Sequence, residues 1–240
     1  MDRLRQLLLA LVFLTRLPLG RWLPPRVLPL AQAAWAFPFA GATVGLIASL
    51  PLWLLGPGLL SAALAVALAV WVTGALHEDA LADFADAAGG RDRNDRLRIM
   101  RDSTIGSYGT MALICVSVLR IAALATLSPV SLIAAAGAGR AAPVVLMRIL
   151  PPARDDGLGH GSGRPSSRTV AVAVAAAGLL LLLGAPSAGA AVGAVLLAGG
   201  ITAAVSGRAN RLVGGQTGDV LGASALLAET AVLVAMAALT

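Results

Sequence analysis

The chain has no lysine: all eighteen of its basic residues are arginine. A phosphate-binding P-loop needs a Gly-Lys-Ser/Thr step, so a Walker-type nucleotide site is excluded. There is a single cysteine, Cys115, in an apolar run. That excludes a disulfide framework and a cysteine-based zinc site, and Cys115 is expected to be a small buried core residue. Charge is also scarce, at 12% of the 240 residues, against about 25% in an ordinary soluble domain. Hydrophobic residues, in contrast, make up 58% of the chain and the mean hydropathy is +0.85. A soluble core cannot absorb that much apolar surface, so the expected class is an all-α, polytopic integral membrane protein forming a single membrane domain over 1–240.

At about 20 apolar residues per crossing, candidate spans fall at Ala31–Leu55, Leu59–Leu76, Gly109–Leu127, Val130–Leu150, Thr169–Leu183, Ala188–Ser206 and Val220–Leu239. The expected count is therefore six or seven, with the fifth marginal in length. Before them, Leu4–Leu14 reads as a short interfacial or re-entrant helix, since Arg16 and Pro18 end the run and no small-residue cleavage site follows. The connections at 56–58, 128–129 and 184–187 are tight and uncharged, whereas segments 1–30, 77–108, 151–168 and 207–219 hold nearly every charge. All four charged segments fall on one side. The positive-inside rule places them in the cytoplasm of a bacterial inner membrane and accounts for the net charge of +6 without a nucleic-acid partner. The small-residue pair Gly41 and Gly45 suits helix packing.

The most informative stretch is GALHEDALADFADAAGG. Asp79, Asp83 and Asp86 are spaced i, i+4, i+7, which gathers three carboxylates within about 40° on one face of a helix continuing the second span. No basic residue lies between Leu76 and Arg91 to relieve their repulsion. Hard oxygen ligands in that arrangement suit Mg²⁺ or Mn²⁺ with open positions for phosphate oxygens. His77 and Glu78 project away from that face; His77 is a candidate base, second-shell ligand or membrane-boundary residue.

In the following stretch, RDRNDRLRIMRDSTIGSYG, Asp95, Arg98 and Asp102 are spaced to pair on one helix, and Arg91 and Arg93 read as solvated. Arg98, Arg101 and Asp102 precede a Gly/Ser turn whose backbone N–H groups can meet an anion. Arg154 sits in a glycine-bearing loop compatible with phosphate binding, and Gly214-Gly215-Gln216-Thr217-Gly218-Asp219 places a carboxylate directly before a span. Arg120, Arg140 and Glu229 lie inside apolar runs. A charge there costs roughly 2.5–3.5 kcal/mol on insertion scales, so these residues are expected to face inward and pair, Arg140 with Glu229.

Five ordered motifs carry a family resemblance: Phe13-Leu14-Thr15-Arg16-Leu17-Pro18, His77-x-Asp79-x-x-x-Asp83-x-x-Asp86, Met100-Arg101-Asp102-Ser103-x-Ile105-Gly106-x-x-Gly109, Ala153-Arg154-x-x-Gly157-Leu158-Gly159, and Gly214-Gly215-x-Thr217-Gly218-Asp219-x-Leu221-Gly222-Ala223. In this order they resemble cobalamin synthase, the adenosylcobinamide-GDP ribazoletransferase family. Ala80 stands where that family usually has glycine, and the loop from His160 to Arg168 is shorter and richer in Ser, Gly and Arg than usual.

The resemblance implies a Mg²⁺-dependent transferase that joins adenosylcobinamide-GDP to α-ribazole or its 5′-phosphate and releases GMP. It implies Asp79, Asp83 and Asp86 as metal ligands, Arg98, Arg101 and Arg154 as phosphate contacts, and Asp219 completing the site. The bilayer is an expected partner; a second copy of the chain or other cobamide-pathway enzymes are open ones. Two other readings remain. A phosphatidyltransferase of the CDP-alcohol type needs a fuller aspartate signature than this chain has. A transporter would scatter polar residues at mid-membrane, whereas here they gather at one face.

Overall fold

The computed structural model describes residues 3–23 and 29–240, apart from the side chains of Leu158 and His160. Part of the 1–30 segment, and the side chain of Leu158 in the fourth motif, therefore lie outside the described residues. Short α1 (Arg3–Leu14) leads into α2 (Leu30–Leu55), whose turns are interrupted by a 3₁₀ segment at Ala34–Ala36. Then come α3 (Leu59–Thr73), α4 (Leu76–Asp86), α5 (Arg93–Ile99) and α6 (Ser107–Leu124). The chain continues through α7 (Pro129–Ile149), α8 (Ser167–Gly184), α9 (Ala188–Val213) and α10 (Gly218–Ala238). Among the described residues, six helices (α2, α6, α7, α8, α9 and α10) are long and apolar enough to cross a membrane, and α3 with α4 would make a seventh as a broken pair.

The late helices start where hydroxyl side chains can satisfy the free backbone N–H groups of a helix end. Ser128, Ser166, Ser187 and Thr217 cap α7, α8, α9 and α10, accepting from Ser131, Thr169, Ala190 and Val220. Each such cap contributes on the order of 0.5–2 kcal/mol. Helices α7 and α10 form the centre of the bundle: 83% and 78% of their apolar windows are buried, against 22–44% for the other spans. Small residues permit this packing. A side chain at Gly41 or Gly45 of α2 would collide with the α7 backbone at Ala136 or Ile133, and one at Gly139 of α7 with Ala225 and Glu229 of α10.

Three expectations change. The fifth candidate span is a full helix, α8, while the second one breaks. Gly74 (φ +66°) and Ala75 (φ +60°) both adopt the left-handed conformation and turn α4 by 90° from α3. Two consecutive left-handed residues, one bearing a side chain, constitute local strain that the surroundings must hold. Arg16 supplies part of that hold: its N–H donates to Val72 O at 2.8 Å, and its side chain lies where a side chain on Gly74 would go. Helix α4 is thus not a continuation of the span but runs across its end. Cys115 is exposed on α6 instead of buried, on a helix face that the apolar composition assigns to lipid.

Candidate active site

The elbow at Gly74-Ala75 gives α4 two faces with different charge. Its inner face carries His77, which is buried, and Glu78, whose Oε1 accepts from Arg120 Nη1 at 3.1 Å. Arg120 Nη2 also donates to Glu229 Oε1 at 2.8 Å, and Arg140 Nη1 donates to Glu229 Oε2. The expected Arg140–Glu229 pair is therefore present, as half of a four-residue network in which Arg120 is shared by two glutamates. Arg120, Arg140 and Glu229 are all at most 3% exposed, so removing any one leaves a charge stranded in apolar surroundings.

The outer face carries Asp79, Asp83 and Asp86, in the expected helical register. Burial, followed by the charges of Asp79, Asp219, Asp86 and Asp102, pushes the Asp83 carboxyl up to about 7. Five acids from α4, α10 and the loop after α5 therefore converge, and like charges this close favour protonation or a bound cation. The donors are all hard oxygens, which fits a divalent ion such as Mg²⁺. Among the described residues, no three acid, histidine or cysteine side chains already close on one point at ligating distance.

Asp86 has a further duty. Its oxygens accept from Gly106 N at 2.7 Å and Gly109 N at 2.8 Å, so it caps α6, which has no cap of its own. The Gly/Ser turn that was expected to meet an anion thus meets a carboxylate of the same chain. A side chain at Gly106 or Gly109 would strike Asp86, which explains glycine at both positions.

The expected three-way pairing of Asp95, Arg98 and Asp102 is only partly realised. Arg98 pairs with Asp95 at 2.8 Å, but α5 ends at Ile99, and Asp102 instead accepts from Thr104 N and Oγ1 at 3.1 and 2.8 Å. Those two Thr104 hydrogen bonds hold the Asp102 carboxyl below the usual range. Arg101 binds Asp156 at 2.5 Å, and Arg154 binds Asp219 at 3.2 Å. Arg98, Arg101 and Arg154 line one open basin of about 650 Å³. The Arg98 and Arg101 pairs are solvent-exposed, so a phosphate can compete for them at little cost.

Some supports were not expected. Arg93, read as solvated, donates to Val213 O and Ala153 O, and Arg96 donates to Gly90 O and Leu212 O. Together they tie α5 to the end of α9 and to the 151–153 loop. The only signal for this was basic residues available near helix C-terminal carbonyls. The two glycine-bearing loops also pair: Gln216 N donates to Pro151 O at 2.8 Å and Ala153 N to Gln216 O at 2.9 Å. A side chain on Gly215 would block that approach. Ala80 meets Gly222 of α10, where an added Cβ would collide with the Ala80 methyl. The crossing tolerates the Ala80 methyl because residue 222 has no side chain.

Below the acids, α1, α2, α4, α7 and α10 enclose a cavity of about 180 Å³. It is largely apolar but has His77, Asp79 and Asp219 in its lining.

Arginines set about an acidic cluster at one end of a helical membrane bundle define a membrane-embedded, phosphate-handling protein. The comparisons with known proteins make this specific. The family model for cobalamin-5-phosphate synthase matches residues 6–237. The adenosylcobinamide-GDP ribazoletransferase of Bradyrhizobium diazoefficiens is 45% identical over 186 residues, covering 73% of this chain and 71% of its own. That of Azorhizobium caulinodans is 46% identical over 200 residues (75% and 74%), and that of Xanthobacter autotrophicus 44% over 213 residues (79% and 78%). No solved structure matches the chain. The chain belongs to the cobalamin-5-phosphate synthase family.

Proposed function

We propose that this chain is an adenosylcobinamide-GDP ribazoletransferase, joining that donor to α-ribazole or α-ribazole 5′-phosphate to give adenosylcobalamin or its 5′-phosphate and GMP, at the end of cobalamin biosynthesis. The observation that carries the site assignment is the convergence of Asp79, Asp83, Asp86, Asp102 and Asp219, with Arg154 as the cation paired to one of them. In the reaction a hydroxyl oxygen of the acceptor bonds to the cobinamide-linked phosphorus. The phosphoanhydride bond breaks, GMP leaves with the bridging oxygen, and the hydroxyl proton passes to a carboxylate of the cluster.

Asp79 and Asp83 would hold Mg²⁺. Asp86 would contribute through the lone pairs that its two backbone donors leave free, and Asp219 would complete the set. Mg²⁺, when bound, neutralises the diphosphate and the leaving group. Arg98, Arg101 and Arg154 exchange their carboxylate partners for donor phosphate oxygens, which positions the diphosphate against the acids. His77 is a positioning group beside them.

By the positive-inside rule the arginine-bearing segments support a cytoplasmic orientation of this face in the bacterial inner membrane; reporter fusions after Gly90, Arg164 and Arg211 should all read as cytoplasmic. The decisive measurement is GMP release from adenosylcobinamide-GDP by purified protein. Release should require both α-ribazole and Mg²⁺, and release that ignores either would overturn the corresponding part of the reading.

A further inference from the structure

The cavity below the acids has features that acid chemistry alone does not explain. Phe13 and Phe37 line it with their rings stacked, centroids 6.0 Å apart and planes within 20°. Met147 closes another part of its wall. These are two of only four phenylalanines in the chain, and parallel aromatic faces favour a flat π-system over a flexible chain. His77 is 3% exposed, lines the same cavity, and its Nδ1 has no hydrogen-bond partner. A buried polar atom left unpaired calls for an explanation, and a ligand heteroatom is one. Asp79 and Asp219 lie in the lining too, which joins the cavity to the acidic cluster. About 180 Å³ is far too little for a corrinoid or for a whole nucleoside-diphosphate conjugate.

We infer that this cavity is the acceptor subsite: the flat, apolar two-ring base of the nucleoside enters between α1, α2, α7 and α10, with His77 facing its polar edge. The ribose then stands beside Asp79 and Asp219, where its hydroxyl meets the donor phosphorus held by the acids. The first motif gains a purpose from this, since Phe13 forms the wall while Arg16 holds the α3–α4 elbow that carries His77. The inference rests on the proposed ribazoletransferase activity.

The test is steady-state kinetics of the full chain in lipid nanodiscs, with direct binding of α-ribazole measured by equilibrium dialysis in the absence of donor. Phe13→Ala should raise the KM for α-ribazole and weaken its binding by roughly tenfold, the scale of one lost base–aromatic stack. The KM for adenosylcobinamide-GDP should stay within about twofold by the same measure. Phe13→Trp, which keeps an aromatic face, should restore most of the loss. Should Phe13→Ala not fold, Ala225→Leu fills the same cavity from α10 and should weaken α-ribazole alone. Wild-type GMP release with acceptor KM unchanged in the folded variants, or with both substrates weakened equally, would overturn the subsite and leave the activity standing. A lipid or detergent chain that saturating α-ribazole fails to displace from the cavity would overturn it as well. Wild-type protein that neither binds α-ribazole nor releases GMP would sink the activity itself, and the subsite with it.

Discussion

Helix α4 carries carboxylates on two faces, and the two sets follow opposite rules. On the inner face Glu78 joins Arg120, Glu229 and Arg140 in a network of two positive and two negative charges, sealed among the spans. On the outer face Asp79, Asp83 and Asp86 stand with Asp102 and Asp219, and the cation tied to this group is Arg154 on Asp219. The inner set is complete without a ligand: its charges cancel, and it fastens α4, α6, α7 and α10 together. The outer set is not neutralised in this way: Asp86, Asp102 and Asp219 have donors of their own, but burial and the neighbouring acids push Asp83 up to about 7, and protonation or a cation would relieve that repulsion. A protein bears such a cost where something else binds. The same residue types therefore serve structure on one face and, under the proposed function, chemistry on the other.

The sharpest way to break the comparison is to remove a member of the inner network. Glu229→Gln strands Arg140 and leaves Arg120 with Glu78 alone, and should destabilise the fold by about 3–5 kcal/mol, read as lost folded yield and a lower unfolding midpoint in detergent. Combining Arg140→Met with Glu229→Gln should cost less than the sum of the two single changes, by roughly 0.5–3 kcal/mol. Strict additivity would mean that the two residues do not share a network.

The outer face should respond in the opposite way. Asp79→Asn and Asp83→Asn remove repulsion, so metal-free protein should unfold no more readily than wild type, and Asp83→Asn should resist slightly better. Turnover should nonetheless fall by about a hundredfold or more, since the proposed mechanism assigns several kcal/mol of transition-state stabilisation to the cation. Measuring GMP release against Mg²⁺ concentration separates a weakened metal site, which excess Mg²⁺ partly restores, from a lost proton acceptor, which it does not. Unchanged activity and metal dependence in both variants would dismiss the metal assignment.

Asp86 sharpens the comparison because it belongs to both kinds. It lies among the outer acids yet caps α6, so Asp86→Ala should cost about 0.5–2 kcal/mol of stability in addition to any loss of turnover. A loss of activity at full stability would show that the cap matters little. The smallest effects belong to the basin arginines. Arg98→Ala breaks only an exposed pair and should move stability by less than about 1 kcal/mol, while raising the KM for the donor.

The candidate site could be read in the sequence only as far as local rules reach. The i, i+4, i+7 spacing of the three aspartates depends on helix periodicity alone and holds within α4. The assumption that this helix continued α3 failed, because Gly74-Ala75 reads as an ordinary pair of small residues until Arg16, nearly sixty positions earlier, is seen lying against it. Spacing puts Asp102 on a helix, but α5 ends first and Thr104 takes its carboxylate. Arg93 looks solvated in the sequence because nothing near it in the chain points to Val213 or Ala153 as its acceptors.

What the sequence by itself determined is the class of protein, the places of six of the spans, and the segments to which the proposed chemistry is assigned. Hydropathy and charge are summed over neighbouring residues, and the cost of burying a charge in lipid leaves little choice about where arginines and aspartates can lie. Only the tertiary structure decided which acids meet. Glu78 reaches Arg120 and Glu229, Asp86 reaches the start of α6, and Asp219 reaches Asp83 across well over a hundred residues. Those pairings depend on how helices cross, and crossings are set by small side chains such as Gly222 against Ala80 and Gly41 against Ala136. No local periodicity encodes such contacts, because each depends on two distant stretches fitting at once.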